Sequence, residues 1–179
     1  MTLGHVEIFW NNELGSVGRA NFNSEDEENA PAIFAYSQKC QVMDSPGLLV
    51  REDFERNEME ALTLAAMQHL PTAVMYVMDL SGLAGDKCSS VDDQLLLRKQ
   101  VRARFPRRPW IDVVSKIDLG VQEGAREKLM EVLGDTPFIE LSIQEGVGVD
   151  ELKQNVVKML SEVRIVLDAM AASSQAEKR

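Results

Sequence analysis

The sequence predicts an α/β protein whose mostly parallel sheet is covered by helices on both faces. Apolar segments of strand length, the clearest being 73–79, end in an acidic residue, which is typical of strands buried on both faces. Segments with helical spacing follow these strands, and prolines and capping residues separate the two types. Because strands and helices alternate from Lys39 onward, right-handed crossovers bring the carboxyl ends of the strands to one edge of the sheet.

The N-terminal part of the chain carries candidate strands on either side of an acidic stretch. Residues 6–10 form a short apolar run, and residues 21–29 are polar and acidic with no apolar period, which predicts a solvated segment. Residues 32–36 and 39–43 predict two strands of a hairpin. The predicted division of the chain is an irregular acidic segment over 1–30, a compact domain over 31–172 and a disordered tail over 173–179.

The remaining elements alternate regularly along the chain. Ser90 and Asp93 form the capping box at the start of a helix. Asp112 is the one discordant residue in the strand that begins at Trp110, and Asp150 caps the last helix. The predicted helices are 53–70, the one after Ser90, 123–133 and 150–171, and the predicted strands are 73–79, 110–115 and 138–142.

Composition and charge limit the classes of function. The chain has 179 residues, of which 45% are hydrophobic and 27% charged, as is ordinary for one globular domain. Its net charge of -10 argues against polyanion binding over the whole surface, because phosphate contacts need clustered Lys and Arg. Two cysteines predict a reducing compartment, and no apolar run reaches membrane-spanning length. We therefore expect a cytoplasmic, nuclear or nucleolar protein without membrane contact, or an organellar one if a targeting region is missing.

The stretch 41–49 joins a buried strand to a tight turn. Asp44 is the last residue of the strand, and Pro46 and Gly47 have the chemistry of a chain reversal. Asp-x-x-Gly after a strand is the arrangement of nucleotide hydrolases, in which the Asp reaches toward Mg²⁺ and the Gly amide toward the γ-phosphate. Asp44 is thus the candidate Mg²⁺ ligand, although Asp, Pro and Gly also occur together in ordinary surface loops.

A second group of polar residues lies at the end of the predicted strand 110–115, two strands after the one that ends at Asp44. It consists of Ser115, Lys116 and Asp118. The Asp118 carboxylate can accept two hydrogen bonds from the N1–H and the 2-amino group of guanine, which adenine lacks. The stem of Lys116 can lie along the base. One strand later, Ser142 and Ile143 provide a backbone amide that can reach the guanine O6. Taken alone, Lys116 and Asp118 also fit a surface ion pair, and Ser142 an ordinary turn serine.

The order of these motifs is that of the guanine-nucleotide elements in a Ras-type G domain. The blocks 44–49, 55–57 and 69–81 resemble the Obg-related Nog family, and 110–116 resembles its plant organelle-type branch, in which Ser likewise opens the base motif. The resemblance covers about residues 33–165. It implies a three-layer fold of the P-loop NTPase type and binding of GTP or GDP with Mg²⁺. It also implies a role in assembly of the large ribosomal subunit, with ribosomal proteins, rRNA or a pre-ribosomal particle as partners.

The phosphate-binding loop of such a domain is not recognisable. No Gly-x-x-x-x-Gly-Lys-Ser/Thr occurs, and the nearest window, 13–20, lacks the first Gly and has Arg19 and Ala20 where Lys and a hydroxyl are needed. This predicts a partial G domain that is truncated or degenerate in its N-terminal half, with 6–10 as a candidate for the central strand. The resemblance also puts Leu48 where Ras-like enzymes carry the glutamine that orients water, so the sequence leaves hydrolysis undecided.

A cluster of arginines marks the end of the helix after Ser90. Cations are favoured near a helix C-terminus, and the functional alternative is a contact with RNA or a ribosomal protein. The cluster consists of Arg102, Arg104, Arg107 and Arg108.

Two functions from different classes follow from these observations. The first is a Nog-like GTP-binding protein fragment or degenerate GTPase that binds guanine nucleotide weakly. The alternative is a non-catalytic protein or ribosome interaction module that uses the G domain as a scaffold. An active GTPase with an unorthodox phosphate loop is a third, less favoured reading.

Overall fold

The computed structural model describes residues 5–11, 40–44, 48–70, 72–83 and 90–176. The predicted strand at 32–36 and the turn Ser45-Pro46-Gly47 lie outside these ranges. The strands are β1 (His5–Asn11), β2 (Cys40–Asp44), β3 (Thr72–Asp79), β4 (Trp110–Ser115) and β5 (Phe138–Leu141). The helices are α1 (Glu58–His69), α2 (Val91–Arg104), α3 (Ala125–Leu133) and α4 (Val149–Ala176), and short 3-10 turns occur at Asp53–Glu55 and Ile117–Leu119.

The five strands form one sheet in the order β2-β1-β3-β4-β5. β3, β4 and β5 are parallel, with Asp79 level with Ser115 and Ser115 level with Leu141. β1 is antiparallel to both of its neighbours, so β2 runs in the same direction as β3. The α/β fold with a mostly parallel sheet is therefore confirmed. The carboxyl ends of β2, β3, β4 and β5 share one edge of the sheet, which we call the rim.

β1 occupies the mid-sheet position that the sequence suggested for 6–10, but its direction is reversed. His5 pairs with Val77 and Trp10 pairs with Thr72, so β1 ends at the edge opposite the rim. In a P-loop domain the phosphate loop follows its strand at the rim itself. The window 13–20 therefore follows a strand that ends at the edge opposite the rim, and not at the edge where a P-loop domain has its phosphate loop. β1 also lies inside the range 1–30 that the sequence predicted to be irregular.

Side chains of β3 alternate between two apolar cores. Val74, Tyr76 and Met78 belong to the core that α1, α2 and α3 share. Ala73 and Met75 belong to the core beneath α4. Helices thus cover both faces of the parallel part of the sheet, which gives the three layers that the resemblance implies.

α1 begins five residues later than the predicted helix 53–70. The Asn57 side chain accepts a hydrogen bond from the Glu60 amide, and the Glu60 carboxylate accepts one from the Asn57 amide, so this capping box sets the start of the helix. Phe54, an apolar residue inside the predicted range 53–70, lies in the preceding turn and is 85% exposed. The apolar spacing therefore extended the helix too far toward the N-terminus.

The boundaries of the later helices follow from local chemistry. The predicted capping box of α2 is confirmed, because Ser90 and Asp93 exchange side-chain and backbone hydrogen bonds. Asp150 lies in the first turn of α4 and not at its cap, because the helix begins at Val149. α4 also continues to Ala176, which makes part of the predicted disordered tail helical.

Candidate functional site

The rim brings together the two motifs that the sequence assigned to a guanine base. The Ser142 hydroxyl, after β5, donates a hydrogen bond of 2.7 Å to Asp118 Oδ1, after β4. The same hydroxyl oxygen accepts a 3.2 Å hydrogen bond from the Glu145 amide. Ser142 is fully buried whereas Asp118 is exposed, so a buried hydroxyl fixes the position of a carboxylate that faces solvent. A carboxylate offers about four acceptor positions, and Asp118 therefore retains capacity for a ligand.

A backbone hydrogen bond connects the two ends of the loop after β5. The Ser142 amide donates a 3.0 Å hydrogen bond to the Val147 carbonyl. Gly148 follows with a φ of +74°, and a Cβ at this position would collide with the Glu140 carbonyl oxygen, so the loop requires glycine there. Ile143 is 81% exposed, and its amide has no acceptor within the described ranges. This amide is available as a hydrogen-bond donor beside Asp118.

Lys116 has an unusual backbone conformation. Its φ of 59° and ψ of 36° place it in the left-handed region, where it is the one non-glycine residue of the described part of the chain. Such a conformation costs a β-carbon-bearing residue on the order of 1 kcal/mol and persists where surrounding contacts hold it. The Lys116 ammonium donates a 2.9 Å hydrogen bond to Asp79 Oδ2, and the Ser115 hydroxyl donates one of 3.1 Å to the Met78 carbonyl. These contacts fasten the end of β4 to the end of β3.

Asp79 is the residue of this site to which the sequence assigned no role. Its side chain is 2% exposed, and its Oδ1 accepts hydrogen bonds from the Ser81 amide at 2.9 Å and the Ser81 hydroxyl at 2.6 Å. The buried Gln94 side chain holds the Asp79 backbone through both its amide and its carbonyl. Burial acts to raise the pKa of Asp79, but the hydrogen bonds from Ser81 and Lys116 outweigh it and lower this pKa. The sequence signal that could have identified Asp79 is an acidic residue at the end of an apolar strand, two residues before Ser81.

Asp44, the residue that the sequence assigned to Mg²⁺, lies apart from the base motif and four residues short of the level of Asp79 at the rim. Asp44 ends β2, and it lies level with Met75 because both pair with Glu7 of β1. β2 and β4 are three strand spacings apart, roughly 14 Å. Gly47 lies outside the described residues. Within the part of the chain whose side chains are described, no group of three potential metal-ligating side chains occurs, so the assignment of Mg²⁺ to Asp44 stays a prediction.

Leu48 is part of the apolar core beneath α1, α2 and α3. Its side chain is fully buried, and the next residue, Leu49, donates its amide to the Glu60 carboxylate at 3.1 Å. Glu60 is itself 1% exposed and also lies 3.5 Å from the Arg51 guanidinium. The segment after the predicted Asp-x-x-Gly turn is therefore anchored to α1, with Leu48 directed into the core.

The arginine cluster lies at the edge opposite the rim and makes internal contacts. Arg102 stacks over the Trp110 ring at 5.2 Å and donates a 2.8 Å hydrogen bond to the Arg108 carbonyl. Arg104 donates to the Asp53 carboxylate at 3.0 Å. These contacts support a structural role for most of the cluster over an RNA contact. The discordant Asp112 of β4 is explained in the same region, since it is buried and paired with Arg98 at 2.7 Å.

Comparison with known proteins identifies relatives of this chain. Residues 58–118, from the start of α1 to Asp118, match the family model of nucleolar GTP-binding protein 1. Nucleolar GTP-binding protein 1 of Drosophila melanogaster is 29% identical over 133 residues, which is 71% of this chain and 20% of the relative. The Kluyveromyces lactis protein of the same name is 32% identical over 106 residues, 58% of this chain and 16% of the relative. The Caenorhabditis elegans protein is 33% identical over 118 residues, 61% of this chain and 17% of the relative.

These comparisons confirm the predicted resemblance to the Nog family. The chain spans about a fifth of the length of the curated relatives it matches. The matched range contains Asp79, Lys116 and Asp118 but ends before Ser142. The assignment to the plant organelle-type branch stays a prediction. Among the described residues, no helix is long and apolar enough to cross a membrane.

Proposed function

The chain is related to the nucleolar GTP-binding protein 1 family, and we propose that it binds guanine nucleotides through the base-recognition half of a G domain. The observation that carries this proposal is the 2.7 Å hydrogen bond between Ser142 and Asp118, residues 24 positions apart. A surface ion pair or an isolated turn serine would not require the ends of β4 and β5 to be joined in this way. The contact supports the reading of both segments as parts of one site.

The two donors and the acceptor on the hydrogen-bonding edge of guanine each have a partner in the proposed site. Asp118 accepts the N1–H and the 2-amino group, while Ser142 holds the carboxylate in place. The Ile143 amide donates to O6. Adenine presents a donor in place of O6 and has no 2-amino group, so it leaves the Ile143 amide and part of the Asp118 carboxylate unmatched. The aliphatic stem of Lys116 lies along one face of the base.

The phosphate half of the site is proposed to be weak. Asp44 and Gly47 are the candidates for contacts with Mg²⁺ and a γ-phosphate, and the sequence has no Gly-Lys-Ser/Thr loop to complete them. The direction of β1 supports this, since its carboxyl end lies away from the rim. Backbone amides and a lysine of the phosphate loop normally cradle the phosphates, so affinity for GTP is expected to be low. Bound Mg²⁺ would supply charge neutralisation at the β- and γ-phosphates.

We propose a nucleolar or pre-ribosomal setting because the relatives carry the name nucleolar GTP-binding protein 1. Ribosomal proteins, rRNA or a pre-ribosomal particle are the partners implied by the resemblance. The second candidate function is a non-catalytic interaction module that keeps the G-domain fold as a scaffold. The fully buried Leu48 favours it over an active GTPase, because a core leucine cannot orient an attacking water.

Calorimetric titration with GDP and GTP in the presence of Mg²⁺ tests the proposal. We expect binding in the micromolar to millimolar range that Asp118→Ala abolishes, because the variant removes both guanine-specific hydrogen bonds. The matched control is Asp135→Ala, which removes an exposed carboxylate beyond the C-terminus of α3. Absence of heat with millimolar nucleotide, or equal binding by the Asp118→Ala variant, would leave the scaffold function as the better account.

A further inference from the structure

Lys116, the cation of the base motif at the rim, is paired with the buried carboxylate of Asp79. Lys116 Nζ lies 2.9 Å from Asp79 Oδ2, and the Asp79 side chain is almost completely buried whereas that of Lys116 is 37% exposed. Two hydrogen bonds from Ser81 orient Asp79 from the other side. Removing Lys116 from this carboxylate would leave a buried charge without its cation, which is costly. The ammonium is therefore held at Asp79.

The backbone reinforces this arrangement. Lys116 is held in the left-handed region, so its side chain departs from the end of β4 in a direction fixed by the turn that follows. The main chain of Asp79 is held by Gln94 of α2 through hydrogen bonds of 2.8 and 3.0 Å. Both partners of the ion pair are thus fixed by other contacts before any ligand arrives.

The described loops of the rim carry more negative than positive charge. In the segments 79–83, 115–124 and 142–148, Lys116 is the one Lys or Arg. The same segments contain four carboxylates: Asp79, Asp118, Glu123 and Glu145. Because like charges repel, this part of the rim disfavours a ligand that carries two to four negative charges.

Apolar side chains stand next to the two base-binding residues. Leu119 directly follows Asp118 and is 49% exposed, and Ile143 directly follows Ser142 and is 81% exposed. Exposed apolar surface of this kind suits the faces of a flat, neutral base and offers nothing to phosphate.

We propose that the ligand class of this site is the guanine nucleoside, recognised with no gain in affinity from its phosphates, because Asp79 neutralises Lys116. This inference rests on the proposed base site and specifies which part of a nucleotide the site reads. Guanosine, GMP, GDP and GTP then bind with affinities within about threefold of one another, because all four present the same base. A site with a working phosphate cradle would instead favour GTP strongly.

The test is calorimetric titration of the full chain with guanosine, GMP, GDP and GTP, all with Mg²⁺. We expect the four dissociation constants to agree within about threefold. GTP binding more than about tenfold tighter than guanosine would overturn the inference while leaving the base site in place. If none of the four binds, or if Asp118→Ala binds them unchanged, the proposed function fails as well. The two failures are therefore distinguishable.

The variant Asp79→Asn tests whether Asp79 is the reason that the phosphates add no affinity. It keeps an oxygen that can accept from Ser81 but removes the charge that neutralises Lys116, so the affinity for GTP relative to guanosine should rise about fivefold or more. The same substitution in a Lys116→Gln background should raise this ratio less, because it removes a negative charge but frees no cation. Asp135→Asn is the control for a distant loss of one negative charge. An unchanged ratio in a folded Asp79→Asn variant contradicts the role assigned to Asp79.

Salt dependence provides a measurement on the unsubstituted chain, in case Asp79→Asn does not fold. If a cation held the phosphates, GTP affinity would fall as NaCl rises from about 50 to about 500 mM, while guanosine affinity would not. We expect GTP affinity relative to guanosine to stay constant or to increase, because salt screens the repulsion from the rim carboxylates. A selective fall in GTP affinity would overturn the inference.

Discussion

Leu48 contributes to stability as a core side chain. It is fully buried beside Leu64 and Met67 of α1, and its neighbour Leu49 is fastened to Glu60. The role of this position is thus decided by packing, whichever residue the phosphate chemistry of a Ras-like enzyme would need there. A glutamine at this position would have to bury an amide.

We predict that Leu48→Gln lowers the free energy of unfolding by about 2–3 kcal/mol without producing GTP hydrolysis, because the buried amide lacks hydrogen-bond partners. Urea unfolding and a phosphate-release assay measure the two effects. Leu62→Gln is the control, since Leu62 is 63% exposed on α1 and should change stability by less than about 0.5 kcal/mol. A stable, hydrolysing Leu48→Gln variant would show that Leu48 borders the ligand.

Asp79 makes stability depend on pH in a defined direction. Burial opposes ionisation, but hydrogen bonds from Ser81 and Lys116 bring its pKa in the folded state below the ordinary value of 3.8. The ionised side chain therefore stabilises the fold above this ordinary value, and the contribution disappears as the pH falls through the folded-state pKa.

We predict that Asp79→Asn is less stable than the unsubstituted chain near pH 7 and that the difference shrinks below about pH 4. Urea unfolding at a series of pH values measures the difference. Asp135→Asn should give no comparable trend, because Asp135 is exposed beyond the C-terminus of α3. A difference that is constant with pH, or that grows toward acid, would contradict the stabilising role of the Asp79 charge.

Among the secondary-structure elements, those with complete local signals were predicted well. α2 has its capping box at Ser90 and Asp93, and its start agrees with the sequence. The predicted start of α1 was wrong because Asn57 and Glu60 form a capping box that apolar spacing does not reveal. The apolar Phe54 that precedes this box is exposed. Apolar periodicity gives the approximate place of a helix, whereas the capping side chains fix where it begins.

The contact between α2 and β4 includes a buried ion pair that explains the discordant Asp112. The Arg98 guanidinium donates two hydrogen bonds to the Asp112 carboxylate, at 3.0 and 2.7 Å, and the Trp110 indole donates a third at 2.8 Å. Trp110 in turn stacks on Tyr76 of β3, with ring centroids 5.7 Å apart. The pair therefore links α2 to the centre of the sheet.

We predict that Asp112→Ala lowers the free energy of unfolding by about 3–5 kcal/mol, because it leaves the Arg98 charge buried without a partner. Replacing both residues, as Arg98→Met with Asp112→Leu, should recover most of this loss. Asp92→Ala is the control: it breaks the exposed Asp92–Lys128 pair and should cost less than about 1 kcal/mol. Thermal or urea unfolding measures all three variants. A double variant as unstable as Asp112→Ala would refute the unpaired-charge explanation.

For the whole molecule, the sequence predicted the parallel strands β3 to β5 and placed Asp118 and Ser142 at the same edge of the sheet. Both follow from the alternation of strands and helices, which fixes the direction of each crossover. The direction of β1 could not be predicted in this way, because the apolar run 6–10 has the same pattern in either orientation. Asp79 was placed on the rim, but its partner could not be identified until β3 and β4 were aligned residue by residue.

The antiparallel direction of β1 predicts which cysteine pairs can form a disulfide across the sheet. Trp10 and Thr72 are paired residues, and paired residues of antiparallel strands have Cα atoms about 4.5–5.5 Å apart, within the range a disulfide needs. In a chain with Cys40 and Cys88 replaced by serine, we expect the combination Trp10→Cys with Thr72→Cys to cross-link under mild oxidation. The combination His5→Cys with Thr72→Cys should not, because His5 pairs with Val77 at the other end of β3.

The two combinations distinguish the orientations, since a parallel β1 would bring His5 toward Thr72 and move Trp10 toward the rim. Non-reducing electrophoresis and peptide mapping identify the cross-linked product. Cross-linking through position 5 alone would reverse β1 and place its carboxyl end at the rim, beside Lys116 and Asp118. The window 13–20 would then follow a strand end at the edge where a P-loop domain binds phosphates. Cross-linking through position 10 alone keeps that end away from the rim and leaves the proposed guanine recognition to the loops after β4 and β5.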